Sequence, residues 1–369
     1  MVSKTPIPPQ PKLKQESTDT TKGSIVLGDA ESFHPDNITL PTFRNLLSYY
    51  PKTVEQVRRN KLLSKLQSKT KGAKGKTDKK ANATVLQNKE LDPSQQAHVD
   101  AEVEKFVKLD QWRYEDMPRI IEERKASNEE VVNKEDLITV MEWKTTHGTP
   151  RPMLMGMIKS NQSNLVLECT SAAISALPTA HPILDAENAF PKTSMDALQP
   201  LRGVGVATAS LVLSIATGSS EYAQQIPFYS DDMFLWLVVK DYPNPTKSSS
   251  KRKVNSKFLR PNGELNVRYT LNEYRELWDA CAELRMRLNK EKGKDEGFVS
   301  QNDIEKVAYV LRNIDVSGFY GEGPDTVVAD VQKGAEEGSE EEVNKKRKRE
   351  ETFESKAVTR MTRSKKKAE

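Results

Sequence analysis

Cysteine is nearly absent from this chain of 369 residues, which contains only Cys169 and Cys281, far apart in the sequence. Two distant cysteines exclude a disulfide framework and a four-cysteine zinc or iron–sulfur site. The composition fits a reducing compartment, where thiols remain unpaired. We therefore expect neither a metal ion nor any other cofactor.

Long apolar stretches are also missing, since hydrophobic residues make up 36% of the chain and charged residues 30%. No run is long enough to span a bilayer and the first residues lack an apolar signal region, so we expect a soluble intracellular protein without a membrane partner. This composition predicts a folded centre of about 200 residues with disordered ends. No segment alternates apolar and polar residues like a strand, so the predicted fold class is all-α.

Three regions differ in composition. Residues 1–91 are rich in proline, serine, threonine and lysine and predict a mostly disordered basic region, in which residues 40–50 suggest a short helix capped by Thr42 and residues 54–66 its helical continuation. Residues 92–320 carry apolar positions at helical spacing and capping signals at Asn133 and Ser300, which predict one helical domain. Residues 321–369 predict a disordered tail.

The charges are blocked rather than balanced, although the formal net charge is only +4. Lysine and arginine dominate residues 52–89, a pattern typical of non-specific attraction to phosphate. An acidic run in the tail precedes a basic cluster that fits a nuclear localisation signal. We therefore predict a nuclear protein whose partners include an import receptor and chromatin proteins. The cluster is Lys345, Lys346, Arg347, Lys348 and Arg349.

The most informative segment is the glycine pair Gly203 and Gly205, which encloses Val204 between two helical patterns. Glycine accepts positive φ at no steric cost, so this spacing predicts a sharp turn between two helices. Such a turn directs backbone N–H groups outward at a helix N-terminus, where they bind an anion. The predicted ligand is a DNA backbone phosphate, with a purely structural turn as the alternative.

The hairpin resembles that of the helix-hairpin-helix DNA glycosylases, a superfamily that includes endonuclease III. The resemblance covers residues 196–236 and implies that Asp231 takes the place of the family's catalytic aspartate, with Asp232 as the alternative if the register is shifted. A carboxylate there would stabilise the positive charge that develops on deoxyribose when the N-glycosidic bond breaks. The resemblance also implies DNA contacts for Leu201, Arg202, Gly203, Val204, Gly205 and Thr208.

The sequence departs from the family pattern at three positions. Arg202 replaces a proline, and residues 219–224 lengthen the segment between the hairpin and Asp231. Ala207 stands where the members with lyase activity carry a lysine that attacks the sugar. If the protein is an enzyme, the resemblance therefore implies a monofunctional DNA N-glycosylase that uses water as its nucleophile.

Residues 143–152 combine tryptophan, lysine, histidine, arginine and two prolines. One interpretation places Lys144 and Arg151 on DNA or in a base pocket, and His147 alone is too weak a signal for a role. The other is a helix end with a cationic last turn and a proline stop. For Asp231 the corresponding structural interpretation is a helix N-cap.

Two functional hypotheses follow from the sequence. The first is a nuclear DNA-binding protein of base excision repair with glycosylase activity. The second is a non-catalytic chromatin or DNA-binding module that retains the hairpin but has lost the chemistry. The first requires a carboxylate beside a base pocket, whereas the second requires only the hairpin.

Overall fold

The computed structural model describes residues 33–71, 92–127, 129–179, 186–220, 224–243, 256–262, 264–294 and 296–320. The described residues belong to one unit and are all-α, as the sequence predicts, with a single β-bridge between Leu259 and Leu265. The predicted tail, including the basic cluster at residues 345–349, lies outside the described residues.

Fourteen α-helices are found in the described residues. Short π-helical segments follow two of them, at Trp112–Asp116 after α3 and at Leu235–Val239 after α11. The helices are α1 (Leu40–Ser48), α2 (Tyr50–Lys71), α3 (Pro93–Gln111), α4 (Met117–Ala126), α5 (Lys134–His147), α6 (Pro152–Lys159), α7 (Ser163–Ser175), α8 (Ala186–Ala189), α9 (Lys192–Leu198), α10 (Val206–Ala216), α11 (Asp231–Phe234), α12 (Leu271–Glu291), α13 (Gln301–Arg312) and α14 (Ile314–Ser317).

Within the region predicted as mostly disordered, residues 40–71 form α1 and α2, which correspond to the helix suggested at residues 40–50 and its continuation. Apolar side chains at helical spacing, such as Phe43, Leu46 and Val54, are buried in the main core, while the lysines lie between them. Thr39, not the predicted Thr42, caps α1 by accepting a hydrogen bond from the Thr42 backbone N–H. A segment of basic composition can bury one face in this way because helical spacing, not average polarity, decides which side chains enter the core.

A buried polar cluster holds the helices around the centre of the molecule. The Arg113 guanidinium donates to Glu305 Oε2 at 2.7 Å, and both side chains are almost fully buried. Trp143 Nε1 and the Tyr50 hydroxyl donate to the Asp110 carboxylate at 2.8 Å and 3.0 Å. These bonds join α2, α3, α5 and α13, and they fix the end of α5 that carries Lys144.

Candidate functional site

The predicted turn lies between α9 and α10. Gly203 has φ +83, in the region that favours glycine, whereas Gly205 has an ordinary φ of −99 and is the N-cap of α10. A Cβ at Gly203 would lie 3.2 Å from Met157 Cβ, while the same atom at Gly205 would enter open space. The first glycine is therefore needed for the turn, and the second leaves the helix N-terminus accessible.

We expect Gly203→Ala to lower the free energy of unfolding by at least about 1 kcal/mol, because alanine is strained at positive φ and its Cβ is crowded by α6. Urea denaturation of the full chain measures this loss. The matched control is Gly205→Ala, for which we expect a change of less than about 0.5 kcal/mol. Equal losses in the two variants would contradict this account of the turn.

Asn161, which sequence analysis did not single out, holds the turn from the other side. Its Oδ1 accepts from the Arg202 backbone N–H at 2.8 Å, and its Nδ2 donates to the Arg202 carbonyl at 3.0 Å. This buried amide satisfies both backbone groups of one residue. An asparagine between two helices gives no sign of a partner 41 residues away in the sequence.

The hairpin residues divide into two groups in the structure. Leu201 and Val204 are only 2% and 8% exposed and pack in the core, so the contact with DNA predicted for them stays a prediction that would involve their backbone. Arg202 and Gly205 are exposed. Apolar residues within a glycine turn anchor it to the body of the protein, which is the commoner role of such residues.

A cavity of about 540 Å³ opens beside the hairpin. Its walls come from α2, the end of α5, the hairpin, the start of α11, the segment before α12 and the end of α13. It brings together residues that the sequence places far apart. The predicted site residues that line the cavity are Gly203, Gly205, Thr208, Lys144, Arg151, Asp231 and Asp232.

Asp231 is exposed to this cavity and is not the N-cap of its helix. Ser230 is the N-cap, because its hydroxyl accepts from the Met233 backbone N–H at 3.0 Å. The structural interpretation of Asp231 as a cap is therefore wrong. Its Oδ1 accepts a hydrogen bond from the Tyr269 hydroxyl at 2.8 Å, which fixes the carboxylate in the opening.

Tyr269 has φ +55, an uncommon value for a bulky side chain. Besides its hydrogen bond to Asp231, its ring lies 5.9 Å from the Arg151 guanidinium carbon. Burial, and secondarily the Asp231 charge, raise the pKa of the Tyr269 hydroxyl to about 12. Strained residues concentrate at functional sites, and this one orients the Asp231 carboxylate beside the Arg151 guanidinium.

Asp232 lies deeper in the same wall than Asp231. Burial raises the pKa of its carboxyl to about 7, and the charge of Asp231 adds to this effect while Arg312 and Lys61 oppose it. Near neutral pH this side chain is therefore only partly ionised. Of the two aspartates, Asp231 is the one that presents a carboxylate to the opening.

Lys144 extends from the last turn of α5 to the first turn of α10. Its Nζ donates to Thr208 Oγ1 at 2.9 Å and lies 5.6 Å from the centre of the Phe228 ring. Burial, and secondarily the Arg151 charge, lower the pKa of this amine to about 7, while the Asp231 charge opposes them. The structural interpretation of residues 143–152 is confirmed, because α5 ends there with a basic last turn. Lys144 and Arg151 line the cavity, and their contact with DNA or a base stays a prediction.

Aromatic rings form much of the inner wall. The His147 ring is 4.6 Å from the Trp143 ring and 4.2 Å from the Tyr309 ring, centre to centre. Burial lowers the pKa of His147 to about 3, so the ring is neutral at physiological pH. Lys61 from α2 donates to the His147 and Gly148 carbonyls at 2.5 Å and 3.2 Å, which joins α2 to the end of α5.

Within the described part of the chain, no cluster of three histidine, cysteine, aspartate or glutamate side chains is placed to hold a metal ion. No described helix is long and apolar enough to cross a membrane. We compared the chain with models of known families, with curated proteins and with solved structures, and none of the three comparisons found a match. The resemblance to the glycosylases therefore stays a prediction.

Proposed function

We propose that the protein binds DNA through the hairpin and cleaves the N-glycosidic bond of a nucleotide held in the cavity. The observation that carries this proposal is the placement of Asp231 and the accessible N-terminus of α10 on one cavity. A DNA-binding hairpin alone would not require a carboxylate beside it. A glycosylase requires both, together with space for a base that has left the double helix.

The hairpin offers the features of a phosphate contact. The helix α10 begins without a side-chain cap, and the space over Gly205 is open. Backbone N–H groups at such an end attract an anion through their orientation and through the helix dipole. Arg202 is exposed beside them and adds positive charge without requiring a particular base sequence.

The cavity suits a planar, partly apolar ligand. Its volume of about 540 Å³ lies within the usual range for small-molecule sites, about 300–1,000 Å³. The rings of Phe228, Tyr229, Tyr269 and Tyr309 contribute to its lining. Enzymes that act on an extruded base hold it by stacking on aromatic side chains, which supports a nucleobase as the occupant.

The chemistry needs a negative charge near the sugar. Breaking the N-glycosidic bond leaves positive charge on C1′ and O4′ of deoxyribose, and a fixed carboxylate stabilises that charge. The hydrogen bond from Tyr269 holds Asp231 in one orientation, so little reorganisation is needed as charge develops. Asp232, with its raised pKa, is less suited to this role near neutral pH.

We expect Gly205→Glu to weaken binding to duplex DNA by at least tenfold, because a carboxylate at the N-terminus of α10 repels a phosphate. Fluorescence anisotropy with a labelled duplex at two salt concentrations measures the change. The matched control is Gly297→Glu, which also places its Cβ in open space but lies away from the cavity. Unchanged affinity of a folded Gly205→Glu protein would show that the hairpin is not the contact.

Nuclear localisation remains part of this proposal. It depends on the basic cluster at residues 345–349, which lies outside the described residues. A nuclear DNA-binding protein without catalysis is the second candidate function. The observation that favours this second candidate is Ala207, which stands where the glycosylases with lyase activity carry a lysine.

A further inference from the structure

The strongest unexplained feature of the cavity is the Lys144 amine. Ala207 gives the first turn of α10 no amine of its own, and this absence predicts water as the nucleophile. The structure brings a lysine to the same turn from another helix. Lys144 Nζ lies 2.9 Å from Oγ1 of Thr208, the residue next to Ala207, and both Lys144 and Ala207 line the cavity.

The environment of Lys144 differs from that of a lysine that binds phosphate or forms an ion pair. Among the described residues no carboxylate oxygen lies within 4 Å of its Nζ, and a neutral hydroxyl is its hydrogen-bond partner. The pKa of about 7 leaves a large fraction of the amine neutral at physiological pH. A neutral, partly desolvated amine is an active nucleophile.

The other cavity lysine provides an internal comparison. Lys61 donates to two backbone carbonyls, those of His147 and Gly148, and these bonds explain its position as structural. Among the described residues, Lys144 donates to the Thr208 hydroxyl alone, which leaves its other hydrogen and the lone pair of its neutral form for a ligand. The charge of Asp231, which lines the same cavity, acts on Lys144 and opposes the lowering of its pKa.

We propose that Lys144 is the nucleophile of the glycosylase and forms a covalent imine with C1′ of the deoxyribose, which gives the protein lyase activity in addition to base excision. This inference rests on the proposed function, because the sugar must enter the cavity. It replaces the prediction of a monofunctional enzyme that uses water. The amine comes from α5 rather than from the hairpin helix.

The reaction begins with attack of Lys144 on the sugar and ends with hydrolysis of the imine. The Nζ lone pair forms a bond to C1′ as the bond between C1′ and the base breaks, and the base leaves with that electron pair and takes a proton from water. Asp231 accepts a proton from Nζ and gives it to O4′ as the C1′–O4′ bond opens, which produces the iminium. Loss of a C2′ proton to water then expels the 3′ phosphate, and hydrolysis of the imine restores the lysine.

Trapping with sodium borohydride tests the assignment directly, because the hydride reduces an imine to a stable secondary amine. The substrate is a duplex with a natural abasic site, whose C1′ aldehyde reacts with an amine without prior base excision. We expect wild-type protein to form a covalent adduct whose modified peptide contains Lys144. Lys144→Arg, which retains the positive charge for a phosphate contact, should lower the yield at least 100-fold.

The exposed lysine on α12 provides the control, since Lys290→Arg should leave the adduct yield unchanged. The initial trapping rate should also rise with pH between about 6 and 8 and then level off, because raising the pH through the pKa of about 7 increases the neutral fraction of Lys144. An adduct that maps to Lys61 or to any other lysine would overturn the assignment. So would a Lys144→Arg protein that is trapped as well as wild type.

A second duplex separates the failure of this inference from the failure of the proposed function. It carries a tetrahydrofuran in place of the abasic sugar, which has no aldehyde and therefore binds without forming an imine. Binding to this duplex without an adduct on the natural abasic site would overturn the role of Lys144 and leave the DNA-binding proposal standing. Absence of binding to either duplex would overturn both.

Discussion

Asp231→Asn should lower the rate of base release by roughly 100- to 1,000-fold while it leaves DNA affinity within about threefold of wild type. Asparagine keeps the size of the side chain, and its Oδ1 still accepts the hydrogen bond from Tyr269. The negative charge beside the sugar is what the variant loses. An effect on turnover without an effect on binding distinguishes charge stabilisation from a phosphate or structural role.

The assay uses duplexes that each carry one altered base: uracil, an alkylated purine or an oxidised guanine. Abasic sites are detected by strand cleavage with alkali, so the readout does not depend on lyase activity. Asp232→Asn is the matched control, because it changes the neighbouring carboxyl, which is already partly protonated near neutral pH. We expect it to retain most of the activity.

Two outcomes would contradict this assignment. If Asp232→Asn loses activity and Asp231→Asn does not, the catalytic carboxylate is the deeper one, and the register alternative from the sequence is correct. If no duplex in the panel releases a base although the protein binds DNA tightly, the second candidate function replaces the first. The hairpin would then serve binding alone.

Local features of the fold were predictable from the sequence. The capping signals at Asn133 and Ser300 are both present as capping boxes, at the starts of α5 and α13. Trp236 and Trp278, which stand among apolar residues in the sequence, lie in the core. Such features depend on residues three or four positions apart, and helical geometry fixes their relation.

The composition of the cavity was only partly predictable. The hairpin and Asp231 could be found because their spacing resembles a known pattern, and Lys144 and Arg151 because their segment is unusual. Tyr269 gave no signal, since its role depends on a strained backbone angle next to a helix cap. Lys61 gave no signal beyond its place in a basic helical segment, because its contact with the end of α5 lies 86 residues away in the sequence.

The second large effect concerns the buried cluster that supports this wall of the cavity. Arg113→Met should lower the free energy of unfolding by about 3–5 kcal/mol, because it leaves the Glu305 carboxylate buried without its partner. Arg113 also donates to Asn302 and Ser214 and lies over the Tyr114 ring at 3.9 Å. Urea denaturation with Arg119→Met as the exposed control measures the loss.

The pH dependence of this loss separates an unpaired charge from lost packing. Burial raises the pKa of Glu305 and Arg113 lowers it, so removal of the guanidinium should raise that pKa further. Between the two pKa values, Glu305 is protonated in the folded variant and ionised in the unfolded chain. The free energy of unfolding of the variant therefore falls as the pH rises through this interval. The deficit should therefore be larger at pH 8 than at pH 5, and adding Glu305→Gln should remove most of this difference. A deficit that is the same at both pH values would show that Arg113 acts through packing, and that the cavity wall behind Trp143 does not depend on the ion pair.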